Sequence, residues 1–382
     1  MKISRSSLSV LLILVIGEIL LRGIGFHYLL EIQPIEIWNP QFDKEIKSGS
    51  SMFRFHPTFF WEMRPESLCL MYPDEKINKD GFRGISYNRG SAKNALRIVC
   101  LGDSSTFGMG VPLESTYSFL LRKKLQLLVS DKAVEVINAG VIGYSSFQGY
   151  QILKHKIMLY QPEIVILYFG AINEQFPANP YSDREKIKIT ATQNQLLNEV
   201  SRYLLKVRII QLVAKMSSVA YLRFSDRHHI DKASYANYEK WHNGKEYKQR
   251  VSLEEFRDDL EGMIALTKKD WIHCLLVSPH RRKIVEEQYP ILPLYTQVIE
   301  SVSEKNNIPL VDIHNKFFSN YGGEEKLFLP GDHFHPNVIG HELIAQELSV
   351  FIFDNIYKKR HNSNSLPFRN CKTASGRPIR SK

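Results

Sequence analysis

Leu96-Arg97-Ile98-Val99-Cys100-Leu101-Gly102-Asp103-Ser104-Ser105 is the stretch that decides the fold. Six residues, apolar except for Arg97, end abruptly on a glycine and a polar cluster. A short apolar run bounded this way reads as a buried strand, and a strand apolar on both faces is typical of a parallel sheet covered by helices. Working outward, Tyr117, Leu120, Leu121, Leu125 and Leu128 follow at helical spacing within Thr116–Leu128, and Val134–Ile137 reads as a second strand. Ile152–Tyr160 suggests a helix and Ile164–Phe169 a third strand, bounded by Pro162. Ile272–Val277 is a fourth strand ending at Pro279, and Leu310–Ile313 a fifth. A closing helix after Pro336 carries Leu343, Ile344, Leu348, Phe351 and Ile352 on one face. Strands alternating with helices imply an α/β domain, here over about residues 95–357.

The flanks differ in composition. Residues 27–94 are rich in aromatic residues, Pro and Gly, including Trp38, Phe53, Phe55, Phe59, Phe60 and Trp61, with no helical period. They read as an ordered, partly β lead-in packed on the main domain. Between the third and fourth strands lies an insertion, roughly 175–255, with an apolar stretch at Leu196–Met216 and a polar, aromatic one at Arg223–Tyr247 that holds His228 and His229. It serves equally as a lid or as structural embellishment. Of the formal net charge of +10, eight positive charges lie after Asp354, from Lys358 to Lys382, where no acidic residue occurs. The high pI therefore belongs to a basic tail, 358–382, whose Ser, Asn, Lys and Arg content reads as disorder. No nucleic-acid partner is expected.

From Leu8 to Ile24 the chain carries twelve large aliphatic residues. They contribute on the order of −6 kcal/mol toward insertion against roughly +3 for Glu18, which Arg22 can pair one turn away. Residues 1–26 therefore read as an N-terminal transmembrane helix, and the absence of a small-x-small site favours an uncleaved anchor over a signal peptide. Lys2 and Arg5 precede the run, and Glu31, Glu36 and Asp43 follow it. The positive-inside rule then puts the body of the protein outside the cytoplasm, in the periplasm or at the cell surface. The four cysteines, Cys69, Cys100, Cys274 and Cys371, are widely spaced and suggest neither a zinc site nor a disulfide framework.

In open parallel sheets active sites form at the carboxyl ends of strands. Here strand one is followed by Asp103-Ser104-Ser105 and strand two by Asn138-Ala139-Gly140-Val141-Ile142-Gly143-Tyr144-Ser145. Gly170 and Asn173-Glu174 follow strand three, and Asp332-His333-Phe334-His335 comes after strand five. Acyl transfer needs a serine activated by an imidazole, a carboxylate that orients the imidazole, and preset donors for the oxyanion. Ser104, His335 and Asp332 can supply the first three. The N–H groups of Ser104 and Gly143 and the Asn173 amide can supply the donors. Neither a metal nor an organic cofactor is required. Asp332, His333 and His335 have a spacing that a metal could use, but no further ligand cluster accompanies them. Tyr144, Ser145 and Gln148 read as packing for the cleft and the next helix. His280-Arg281-Arg282, after strand four, could bind an anionic group and reads better as a solvated charge run.

This ordered set resembles the SGNH, or GDSL-type, serine hydrolase superfamily over about 95–357. Gly102-Asp103-Ser104 resembles its nucleophile block, Gly143 the oxyanion glycine of its second block, Asn173 the asparagine of its third, and Asp332 with His335 its D-x-x-H. Asn78-Lys79-Asp80-Gly81-Phe82-Arg83-Gly84 looks like the lead-in of membrane-anchored bacterial members. The resemblance implies a flavodoxin-like three-layer sandwich with a central five-stranded parallel sheet. Two departures mark the third block: Gly170-Ala171-Ile172-Asn173 has one residue more than G-x-N, or else Ala171 takes the place of the glycine, and Glu174 replaces an aspartate. The expected function is a membrane-anchored, extracytoplasmic esterase or acylhydrolase acting on O-acyl groups of envelope glycans or lipids. An O-acetyltransferase with the same triad and a non-catalytic envelope binding protein on the same fold are the alternatives.

Overall fold

The computed structural model describes residues 5–26, 52–69, 71–90, 94–178, 181–187, 207–213, 216, 239–241, 243–319 and 324–359. Residues 228–229, most of the insertion and the tail from 360 onward lie outside these. Two antiparallel hairpins come first, β1 (Phe53–His56) with β2 (Phe60–Met63), and β3 (Leu68–Cys69) with β4 (Tyr72–Lys76). The main sheet follows: β5 (Ala95–Gly102), β6 (Ala133–Gly140), β7 (Ile164–Tyr168), β8 (His273–Val277) and β9 (Leu310–Val311). All five strands are parallel, in the order β6-β5-β7-β8-β9. The central five-stranded parallel sheet is as expected. The first strand in sequence pairs on both sides, so the strand order reverses at β5, where such folds open a crevice.

The strands are buried on both faces, and alternate residues feed two cores. Ile98 and Cys100 join one core with Tyr117, Leu121 and Leu125 of helix α3 (Tyr117–Leu128) and with Leu343, Ile344 and Leu348 of α9 (Val338–Ile352). Val99 and Leu101 join the other, with Ile152 and Leu153 of α4 (Ser146–His155), Phe256, Leu260 and Met263 of α5 (Leu253–Lys269), and Tyr295, Val298 and Ile299 of α7 (Leu292–Asn306). The hairpins contribute Phe53, Phe59, Trp61 and Met63 to this second core. Short helices α2 (Ser104–Phe107), α6 (Lys283–Gln288) and α8 (Ile313–Ser319) complete the domain.

Several boundaries differ from the sequence reading for local reasons. Helix α4 starts six residues before Ile152 because Ser145 and Gln148 form a reciprocal cap, and it gives way to a 3-10 turn at Ile157–Tyr160. Strand β9 stops at Val311 rather than Ile313. There the Asp312 carboxylate accepts from the Asn315 N–H at 3.1 Å and from Ser278 Oγ at 2.9 Å, and the chain turns into α8.

The N-terminal helix α1 covers Arg5–Gly23. Its 19 residues correspond to about 28 Å, slightly less than a hydrocarbon core of about 30 Å. Among the described residues no helix is long and apolar enough to cross a membrane. The expected spanning helix is therefore observed as a helix alone, one that carries Arg5, Glu18 and Arg22. Glu18 pairs with Arg22 at 2.8 Å and accepts from the backbone N–H groups of Arg208 and Ile209, both at 3.0 Å.

Candidate active site

Gly102 and Gly140 end the two neighbouring strands β5 and β6 in register. A Cβ on Gly140 would lie 2.2 Å from the Phe107 nitrogen, so only glycine lets α2 sit this close to the sheet. Asp103 Oδ1 accepts from the Ser105 N–H at 2.9 Å and starts the turn into α2. Ser104 occupies the first position of that turn and keeps 8% exposure.

Ser104 Oγ lies 2.8 Å from His335 Nε2, and His335 Nδ1 lies 2.7 Å from Asp332 Oδ2. The structure thus brings together three residues from opposite ends of the α/β domain. Asp332 Oδ1 also accepts from the N–H groups of Phe334 (2.7 Å) and His335 (2.9 Å), which folds the loop around its own carboxylate. Partial burial alone would raise the Asp332 carboxyl. The hydrogen bonds and charge of His335, with the two backbone N–H groups, hold it well below the usual carboxylate range. Both ring nitrogens of His335 are engaged, and among the described residues no group of three or more His, Cys, Asp or Glu side chains could hold a metal ion. Ser105 points elsewhere, its hydroxyl donating to the Phe334 carbonyl at 3.4 Å.

Gly143 sits on the loop after β6 at φ +78°, and Asn173 on the loop after β7. Among the described residues nothing accepts from the N–H of Ser104 or of Gly143. The Asn173 amide donates to Asp103 Oδ2 at 3.0 Å, which leaves its second N–H for another acceptor. Gly170 stands at φ +94°, and the Asn173 amide lies against Asp103 beside the Ser104 turn. Burial raises the Asp103 carboxyl, and the Ser105 N–H, His335 and Asn173 oppose it. Glu174 is buried next to it, accepting from the Ser146 N–H at 2.9 Å, and burial followed by the Asp103 charge pushes its carboxyl up to about 8.

His280-Arg281-Arg282 is not a solvated run. Burial pulls the His280 imidazole well below its ordinary value, and the ring bonds the Tyr168 hydroxyl. Arg281 is 1% exposed and pairs with Glu286 at 2.7 Å, while Arg282 reaches Glu325 and the His333 ring. Tyr144 and Gln148 support the lead-in, the Tyr144 hydroxyl donating to the Trp61 carbonyl at 2.6 Å and Gln148 Nε2 to the Phe59 carbonyl at 2.7 Å. Ser145 Oγ donates to Asp183 at 2.7 Å.

Sequence reasoning passed over two buried arginines. Arg83 donates to the carbonyls of Phe107 (3.2 Å), Gly108 (2.7 Å) and Val111 (2.9 Å) and pairs with Glu75, so it grips the end of the Ser104 turn. Arg250, with no exposed surface, donates to the Gly143 carbonyl at 2.9 Å and pairs with Asp183 at 2.8 Å. The first had a signal in the Asn78–Gly84 motif. The second had none, because its partners are far away in sequence.

Residues 100–343 match the model of the GDSL-like lipase/acylhydrolase family. No curated protein sequence matches the chain. Among solved structures it is similar to a lipase/acylhydrolase from Enterococcus faecalis, at 17% identity over 67% of this chain and 95% of that one (TM-score 0.43). It is also similar to an acetylxylan esterase from Geobacillus stearothermophilus, at 16% identity over 69% and 94% (TM-score 0.42). A psychrotrophic esterase from Pseudoalteromonas sp. matches at 17% identity over 70% and 100% (TM-score 0.41).

Proposed function

This chain belongs to the GDSL-like lipase/acylhydrolase family, and on that premise we propose that it is a serine esterase in which Ser104 is the nucleophile, His335 the general base and Asp332 the residue that orients His335. The observation that carries this reading is the unbroken hydrogen-bonded line from Ser104 Oγ through the His335 ring to Asp332, at 2.8 and 2.7 Å. Ser104 Oγ attacks the ester carbonyl carbon as its proton passes to His335 Nε2. The tetrahedral oxyanion takes hydrogen bonds from the N–H groups of Ser104 and Gly143 and from the second N–H of Asn173. The C–O bond to the alcohol breaks, the alcohol leaves with the proton from His335, and an acyl-enzyme remains. Water, deprotonated by His335, repeats the sequence and frees the acid and Ser104. The depressed Asp332 carboxyl remains an anion and stabilises the imidazolium.

The same proposal attaches the enzyme to a membrane through α1, with the α/β domain outside the cytoplasm and O-acyl groups of envelope glycans or lipids as substrate. Its support is the exposure of Leu12, Ile13, Leu14, Val15, Ile16, Ile19 and Leu20 on α1, together with the positive charges that precede them. Labelling with a fluorophosphonate tests the chemistry: wild type is labelled and Ser104→Ala is not. An unlabelled wild type sinks the reading. Alkaline carbonate washing and protease access to intact spheroplasts test the attachment, which fails if the protein is recovered in the wash or stays protected.

A further inference from the structure

The Ile142–Gly143 peptide is held at its carbonyl by a residue from outside the family-matched segment. The Trp61 indole Nε1–H donates to the Ile142 carbonyl at 3.1 Å, in buried surroundings. The described chain contains no cis peptide bond. In a trans peptide the carbonyl and the following N–H lie in one rigid plane and point in opposite directions. Anchoring the Ile142 carbonyl therefore fixes the direction of the Gly143 N–H. This matters because Gly143, at φ +78°, has the torsional freedom of a glycine and would otherwise let that peptide rotate.

Trp61 is itself immobilised. It is 2% exposed, its carbonyl accepts from the Tyr144 hydroxyl at 2.6 Å, and its ring meets Tyr144 edge-on at 5.8 Å. The Arg250 guanidinium lies 5.7 Å from the Trp61 ring while it binds the Gly143 carbonyl, so the next peptide is gripped as well.

We propose that Trp61 is a positioning residue for the oxyanion donor: its indole N–H locks the Ile142–Gly143 peptide so that the Gly143 N–H stays directed at the site of charge development. A hydrogen bond to the carbonyl also polarises the amide and strengthens its N–H as a donor. This rests on the reading of Gly143 as an oxyanion donor. A donor that is already oriented costs no reorganisation in the transition state, and that advantage appears in kcat.

The test is Trp61→Phe, which removes the N–H and keeps an aromatic ring, assayed with p-nitrophenyl acetate and checked for folding by thermal unfolding. The expected result is a kcat about tenfold lower, with KM within about twofold, since the ground-state ester draws little on this donor. Affinity for phenylboronic acid, a tetrahedral mimic, falls in parallel. If the phenylalanine variant does not fold, benzothienylalanine at position 61, which exchanges N–H for sulfur at nearly constant shape, takes its place. A kcat within twofold of wild type, or a loss confined to KM, overturns the inference alone. A wild type that neither turns over the ester nor reacts with a fluorophosphonate overturns the esterase reading, and this inference with it.

Discussion

The Asn173 amide donates to Asp103 at 3.0 Å, tying the loop after β7 to the residue that precedes Ser104. Asp103 thus serves both loops, starting the turn that carries Ser104 and fixing the rotation of the Asn173 side chain. With one N–H committed, the other has a defined direction. Asn173→Ala is expected to lower kcat by about 10²- to 10³-fold with little change in KM, the cost of one oxyanion donor. Asp103→Asn, which can turn its own amide toward Asn173, is expected to lose kcat in the same direction. Steady-state kinetics on both variants checks this, and an unchanged kcat in Asn173→Ala removes that side chain from the mechanism.

Asp332→Asn replaces the carboxylate by a neutral amide of nearly the same shape. The imidazolium loses its counter-charge and the ring its tautomer. The expected loss is about 10³- to 10⁴-fold in kcat, with KM little changed. Comparison of kcat in wild type and variant decides it, and a variant with more than a tenth of wild-type kcat contradicts the assigned role.

Glu174 makes stability depend on pH. Its folded carboxyl lies at about 8, against an ordinary 4.5, so between these values the folded protein holds a proton that the unfolded chain has released. The associated stability is fully present below 4.5 and lost as pH rises toward 8. Asp259, raised to about 7 by burial, acts with the same sign. Above about pH 7, where the buried imidazoles of His56, His280 and His341 are neutral in both states, urea unfolding is expected to show stability falling toward about pH 8. Glu174→Gln is expected to flatten that slope by up to about 1.4 kcal/mol per pH unit. An unaltered slope in the variant refutes the assignment.

Arg83→Met removes the donor to three carbonyls and takes the cation from the half-buried Glu75, which keeps the Leu113 N–H at 2.9 Å. Breaking a buried pair in this way is expected to cost about 3–5 kcal/mol in urea unfolding. A cost below about 1 kcal/mol would mean that the carbonyls at the end of α2 find other donors.

The sheet and the order of chemical residues along it were legible because both are local. Each strand is an apolar run with a breaker after it, and Ser104, Gly143 and Asn173 follow their own strands. Ser252 and Glu255 cap α5, a local signal that the reading of 175–255 as an insertion passed over. What was not legible depends on distant partners. His280-Arg281-Arg282 looks solvent-loving residue by residue, and partners elsewhere in the chain, among them Tyr168, Glu286, Thr296 and His333, bond it where it is buried. The roles of Trp61 and Arg250 likewise depend on contacts 81 and 107 residues away.

Arg83 also pairs by its backbone with Asn138 of β6, in an isolated antiparallel bridge along an outer strand of the sheet. A fragment cut to begin at residue 95 would free the Asn138 backbone groups on that edge and bare the core surface that Phe53, Phe59, Trp61 and Met63 cover. Recombinant production should therefore retain the hairpins. A truncated form would be expected to aggregate, and its inactivity would say nothing about Ser104.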